Sequence, residues 1–303
     1  MLTYNSYLTP RSLPEALNVL ISAKGSVVRL IAGGTDILPW ARQGRAGDVH
    51  LDTLIDISSL SELRGVTLRD GTLHVGAATP IADFIRNPLL REHAPVLSRC
   101  AVWFADDQIR AQATVGGNLV NASPAGDSQP ALLLHDCRAT LSTLQNQKLV
   151  ERQMPLSEFI LGPSKTACQP NEVLVKIEMD SLKGYGCAFE KVGHRRSLVI
   201  STVCLAVAVK INWSSKKIED FRLAIGAVGP VPTRITEIEK FLVGKVPDGK
   251  LLRDAAQMVA DYVRSRSRQE YRREVLVNFV ERGAVEALSR AGISIERVAK
   301  ELS

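Results

Sequence analysis

The sequence predicts an α+β protein made of more than one compact unit, and three observations carry that prediction. A chain of 303 residues with 45% hydrophobic content can bury a substantial core, and this length more often divides into two or three units than one. Strand-like and helix-like segments alternate as far as Met179. From Gly184 onward a run of strands gives way to a run of helices, the order expected of a segregated α+β unit.

In chain order, residues 1–57 read as a small α/β lobe. A helix begins near Ser12 in SLPEALNVLISA, with Pro14 tolerated in the first turn. The apolar run VVRLIA follows as a strand, then a glycine loop, then DTLIDIS as another short strand. Residues 58–180 form a second lobe, where strands TLHVGAA and ATLSTL alternate with helices at PIADFI, APVLSRCAVWFA and DSQPALLLHD. A second glycine segment lies between these elements. Residues 181–303 open with strands CAFEKV, VCLAVAVKINW and DFRLAIGAV, predicting an antiparallel sheet. They then turn helical in LLRDAAQMVADYVRS, REVLVNFVERGAVEALSRA and ISIERVAKEL. Within the first of these helices Leu252, Ala255, Ala256, Val259 and Val263 recur at helical spacing and make a packing face.

Composition narrows the function classes. No run of about 18 apolar residues occurs, so no membrane span is expected. The start MLTYNSYLTPRSLPEAL lacks a basic region followed by an apolar one, and a cytoplasmic location is expected. The net charge of +6 comes from scattered residues and short groups such as HRR and RSRSRQEYRRE, without a nucleic-acid-binding motif. The 5 cysteines, Cys100, Cys137, Cys168, Cys187 and Cys204, show no C-x-x-C spacing of the kind an iron-sulfur or zinc site uses.

Two glycine pairs carry the chemistry: LIAGGTDIL from Leu30 to Leu38 and QATVGGNLVNASPAGD from Gln112 to Asp127. Without a Cβ, backbone N–H groups can approach a ligand closely. Paired glycines at a strand exit and a helix start suit phosphate, and two such cradles suit a pyrophosphate, hence a dinucleotide. Neither segment is a G-x-G-x-x-G fingerprint or a G-x-x-x-x-G-K-[ST] loop. A Gly-Gly pair alone also serves in ordinary tight turns.

The loop AGGTDIL and the stretch VWFADDQIRAQATVGGNLVNASPAGDSQPALL resemble the FAD-binding subunit of the molybdenum hydroxylases, the xanthine dehydrogenase, aldehyde oxidoreductase and carbon monoxide dehydrogenase group. The segments NEVLVKIEM and FEKVGHRRSLVIS extend the similarity nearly end to end. The resemblance implies a two-lobed FAD-binding domain of the vanillyl-alcohol-oxidase-like kind, followed by a smaller C-terminal α+β domain. It further implies that Ala32, Gly33, Gly34, Thr35, Asp36 and Ile37, with Thr114, Val115, Gly116, Gly117 and Asn118, wrap the FAD pyrophosphate. Turn or cap duty is the other reading for Thr35 and Thr114.

Asp127 matches the acidic residue that holds a hydroxyl of the flavin nucleotide, and it is also placed to cap a helix at Ser128. Phe104 and Leu174 match positions packed against the cofactor, although an isolated apolar residue is as readily core. Lys191 matches a lysine that contacts the cofactor, where a cation would stabilise reduced, anionic flavin; a solvated lysine is the alternative. Ile109-Arg110-Ala111 departs from the I-R-N of many relatives and removes one amide side chain before the second pair.

The implied scheme places substrate hydroxylation in a molybdopterin-binding large subunit and two [2Fe-2S] clusters in a small subunit. FAD on this chain then passes electrons to NAD+, a quinone or oxygen. No nucleophile, metal set or acid–base pair of its own is evident. A free-standing flavin oxidoreductase of the same fold and a non-redox nucleotide-binding or assembly module stay open at this stage.

Overall fold

The computed structural model describes residues 1–23, 25–45, 49–195, 198–265 and 267–295. Two compact units emerge. The first comprises Met1–Leu89, Ala105–Ser123 and Cys137–Asp180; the second comprises Leu90–Phe104, Pro124–Asp136 and the chain from Ser181 onward. The helices at 95–103 and 128–133, counted above with the second lobe, thus cluster with the C-terminal residues.

In the first unit a three-stranded parallel sheet has the order Thr3–Leu8, His50–Asp56, Val28–Ile31. The strand Thr3–Leu8 was not foreseen, because all six of its residues are exposed and show no alternation. Its backbone pairing with His50–Asp56 makes it a strand. The helix Leu13–Ser22 starts as expected: Ser12 accepts a hydrogen bond from the Glu15 amide, and Pro14 lies in the first turn. Its Leu13, Ala16 and Leu17 pack with Ile55, Ile57, Leu60, Leu63 and Val175. Each leucine buried in this way contributes about 1.5–3 kcal/mol.

The same unit holds a five-stranded antiparallel sheet ordered Val66–Arg69, Thr72–Gly76, Val173–Asp180, Arg138–Gln145, Lys148–Pro155. NEVLVKIEM is therefore the central strand of this sheet.

The second unit is built on an antiparallel sheet ordered Gly186–Val192, Val203–Asn212, Lys217–Gly226, Thr233–Arg234. Strand Val203–Asn212 is nearly all apolar and buried, with Val203, Leu205, Val207 and Val209 in one cluster with Leu276, Val280, Ala284 and Leu288 of helix Gln269–Arg290. The sheet followed by helices is the α+β order expected here.

The helix expected over Leu251–Ser265 is shorter. It spans Gly249–Gln257, and its last bonds tighten to i−3 (Met258 to Ala255, Val259 to Ala256) before a 3-10 turn at Ala260–Tyr262. Its packing face survives, with Leu252, Ala255, Ala256, Val259 and Val263 all buried. In ISIERVAKEL, Ile293–Ile295 carry no helix and the remainder lies outside the described residues. Among the described residues no helix is long and apolar enough to cross a membrane.

Candidate functional site

The first glycine segment leaves the end of strand Val28–Ile31 and enters the short helix Ile37–Arg42. Gly34 has φ +69°, a left-handed conformation that costs glycine little and a β-branched residue much. Among the described residues, the amides of Gly33, Gly34, Thr35 and Asp36 donate to no protein acceptor. Half-buried successive N–H groups around a left-handed residue form an anion-binding concavity. Asp36 flanks it without capping the helix; burial pushes its carboxyl upward and Arg45 pulls it back.

The second segment differs from expectation. Gly116 and Gly117 do not lie in an open loop: they occupy the first turn of helix Val115–Asn121, capped by Thr114. Every amide there is satisfied within the protein. Val115 donates to the Thr79 carbonyl at 3.0 Å, Gly116 to Ala77 at 2.7 Å, Gly117 to Thr114 Oγ1 at 3.1 Å and Asn118 to the Thr114 carbonyl at 3.0 Å. The cap reading of Thr114 is thus realised.

The glycines here answer to packing. A Cβ on Gly116 would lie 2.6 Å from the Ala77 Cβ and 2.8 Å from its carbonyl oxygen. A Cβ on Gly33 would lie 2.0 Å from the carbonyl oxygen of Gln112, so the two segments touch backbone to backbone. One open row of amides, buttressed by a second segment, replaces two facing cradles. The arrangement fits a pyrophosphate at the first loop.

Leu174 is buried in strand Val173–Asp180, paired with Leu141, and Ile37 and Val115 are buried beside the glycine segments. Asn118 is half-buried.

The second unit brings Asp127 and Lys191 together. Lys191 Nζ donates to Asp127 Oδ2 at 2.6 Å and to the Trp103 carbonyl at 3.1 Å, and the two side chains are 3% and 9% exposed. Lys191 is therefore not solvated. Trp103 ends helix Pro95–Trp103, where a cation suits the negative end of the helix dipole. Asp127 does not cap helix Ser128–Leu133.

The other carboxylate oxygen of Asp127 accepts from Ser201 Oγ at 2.5 Å, and its backbone carbonyl accepts from Cys100 Sγ at 3.2 Å. Burial pushes the Asp127 carboxyl above the usual range, opposed by Lys191 and Ser201. Burial also raises the thiols of Cys100 and Cys204, which stay neutral and unreactive. Phe104 is half-buried just beyond the helix end, and His194 is exposed. Ser201 was missed by sequence reasoning: it lies 74 positions from its partner, and no local pattern links them.

A family described as the FAD binding domain in molybdopterin dehydrogenase matches residues 2–179, and one described as the CO dehydrogenase flavoprotein C-terminal domain matches residues 188–287. The chain is 30% identical over 276 residues to the glyceraldehyde dehydrogenase medium chain of Sulfolobus acidocaldarius, covering 89% of this chain and 94% of the relative. It is 29% identical over 299 residues to the xanthine dehydrogenase FAD-binding subunit of Escherichia coli O157:H7, covering 96% and 99%. Among solved structures, a chain of carbon monoxide dehydrogenase from Hydrogenophaga pseudoflava, in a form lacking the Mo-pyranopterin moiety, aligns with TM-score 0.87 at 27% identity, covering 96% and 99%.

Proposed function

From the premise that this chain belongs to the FAD-binding subunits of the molybdenum hydroxylases, we propose that it relays electrons from an iron-sulfur partner through FAD to an external acceptor. The family makes it an oxidoreductase subunit that binds FAD. Its partners in this proposal are a molybdopterin-binding large subunit, where substrate is hydroxylated, and a small subunit with [2Fe-2S] clusters. The acceptor is NAD+, a quinone or oxygen, and the assembly works in the cytoplasm.

Bound FAD supplies the redox chemistry, and the chain binds, orients and tunes it. Gly33, Gly34, Thr35 and Asp36 offer four successive amides to the pyrophosphate, and Ala32 and Ile37 set the ends of that turn. Gln112 backs the turn at Gly33, and Thr114, Val115, Gly116, Gly117 and Asn118 form the capped helix start that follows it. Asp127 and Lys191 serve the polar edge of the cofactor, the lysine as a buried cation. Phe104 and Leu174 supply apolar contact. Amide dipoles suffice for a phosphate bridge, and no arginine is needed inside the turn.

The observation that carries this reading is the open row of amides at 33–36 inside a region matched by the FAD-binding family. Cofactor released by heat from the purified protein and separated by chromatography tests it. FAD is the expected product; FMN, or a colourless protein that does not take up FAD, overturns the pyrophosphate assignment. Co-purification from the native host with a molybdenum-containing and an iron-sulfur chain tests the partners. Substrate-dependent flavin reduction by the isolated chain would instead favour a free-standing oxidoreductase.

A further inference from the structure

We propose that Ser201 is a positioning residue for the flavin, acting through the Asp127 carboxylate on the Lys191 ammonium. The proposal rests on the reading that Lys191 serves the cofactor. Ser201 is 5% exposed and lies in the connection between strands Gly186–Val192 and Val203–Asn212. Its backbone is pinned on both sides of the following residue: the Thr202 amide donates to the Val192 carbonyl at 2.8 Å, and the Thr202 carbonyl accepts from the Arg272 guanidinium. Arg272 also bonds the Ala227 carbonyl at 2.6 Å. The Ser201 hydroxyl is thereby delivered to Asp127 Oδ1 at 2.5 Å from a fixed position.

A carboxylate held at one oxygen can rotate about its side-chain bonds. Held at both, by Lys191 on Oδ2 and Ser201 on Oδ1, it cannot. Lys191 Nζ then has two fixed acceptors, Asp127 and the Trp103 carbonyl, and its third hydrogen has no acceptor among the described residues. The Ser201 bond also draws negative charge toward Oδ1 and away from the lysine, so more of the ammonium's field is left for a ligand. The neighbouring thiols of Cys100 and Cys204 are kept neutral by burial and add no charge.

Two electrons from the iron-sulfur partner and one proton from solvent convert FAD to its anionic reduced form, with one negative charge on the ring. A cation fixed near that ring stabilises the reduced form and raises the midpoint potential. Loss of the Ser201 bond lets Asp127 neutralise Lys191 more fully and lowers that potential.

The test uses the FAD-loaded protein in its complex and compares S201A, S201C, S201T and K191M with the wild type by dye-equilibrated redox titration and flavin absorption. S201A and S201C are expected to retain FAD and shift the midpoint potential to more negative values, in the direction of K191M but by less. S201T, which keeps the hydroxyl, should restore it. If S201A fails to fold, the near-isosteric S201C makes the same comparison. Wild-type potentials in the alanine and cysteine variants, or a threonine variant that behaves like alanine, overturn the role of Ser201 while a shifted K191M keeps Lys191 at the cofactor. An unshifted K191M overturns the underlying reading instead.

Discussion

Lys191 Nζ lies 2.6 Å from Asp127 Oδ2, although the residues are 64 positions apart, and both side chains are less than a tenth exposed. Breaking a buried pair by removing one partner strands the other charge, at a cost of about 3–5 kcal/mol. D127L and K191M should each lower stability by an amount in that range. The double variant D127L/K191M should recover much of the loss, because no charge is then left unpaired. Urea denaturation of the four proteins as a double-mutant cycle measures this, and a coupling near zero would show that the pair does not act as a unit.

A Cβ on Gly33 would lie 2.0 Å from the Gln112 carbonyl oxygen, while a Cβ on Gly162 would meet no atom within 4 Å among the described residues beyond its chain neighbours, and Gly162 has no positive φ. G33A should therefore cost at least about 1–3 kcal/mol and lower FAD content, because the obstructing atom is backbone and cannot swing aside. G162A should be close to neutral. Melting temperature and flavin content per chain distinguish the two, and equal behaviour of the variants would refute the contact between the glycine segments.

Gly34 presents a different constraint. The atoms nearest its Cβ would be side-chain atoms of Ile31 and Leu38, at 3.3 and 3.4 Å, but its φ is +69°. G34A should cost about 1 kcal/mol in backbone strain. G34V should cost more and release FAD, while circular dichroism retains most of the helix and strand signal.

Thr114 Oγ1 caps helix Val115–Asn121 by accepting the Gly117 amide at 3.1 Å. T114V preserves shape and removes the acceptor, so a loss of about 1 kcal/mol is expected, and T114S should restore it. Thermal melts of the three proteins decide this. Equal melting of T114V and wild type would remove the cap from the account.

Glu172 accepts from Arg152 Nε at 2.6 Å and Nη2 at 2.7 Å, and from the Gln169 amide at 2.8 Å. The Arg152 bonds hold its carboxyl below the usual range. A carboxylate whose folded pKa is depressed adds stability that is complete above its unfolded pKa, about 4.3, and is lost as pH falls through the folded value. The gap in melting temperature between wild type and E172Q should accordingly be present at neutral pH and close below about pH 4. With the Arg152 side chain 40% exposed, the ion pair behind that gap should contribute about 1 kcal/mol at neutral pH. A gap independent of pH would remove the ion pair as its cause.

Much was legible from sequence. Ser12 followed by Pro14 set the start of helix Leu13–Ser22, because a cap and a proline act within one turn of where they stand. The apolar runs in VCLAVAVKINW and DFRLAIGAV became buried neighbouring strands, since burial on both faces needs no partner to be read from composition. The residues around the glycine pairs carried the family resemblance, which the family models bear out.

What only the tertiary structure decided is which atoms meet. Gly116 and Gly117 look like Gly33 and Gly34 in sequence, yet the former lie in a helix with its first amides bonded and the latter in a turn whose amides find no acceptor among the described residues. The strand Thr3–Leu8 exists through its pairing with His50–Asp56, which leaves no periodic trace in TYNSYL. Ser201 joined Asp127 and Lys191 because a loop pinned by Val192 and Arg272 delivered its hydroxyl there. Periodicity and capping are local forces and can be read along the chain. Hydrogen-bond partners and steric contacts dozens of residues apart depend on how the chain packs within each unit, and a one-dimensional pattern does not carry that information.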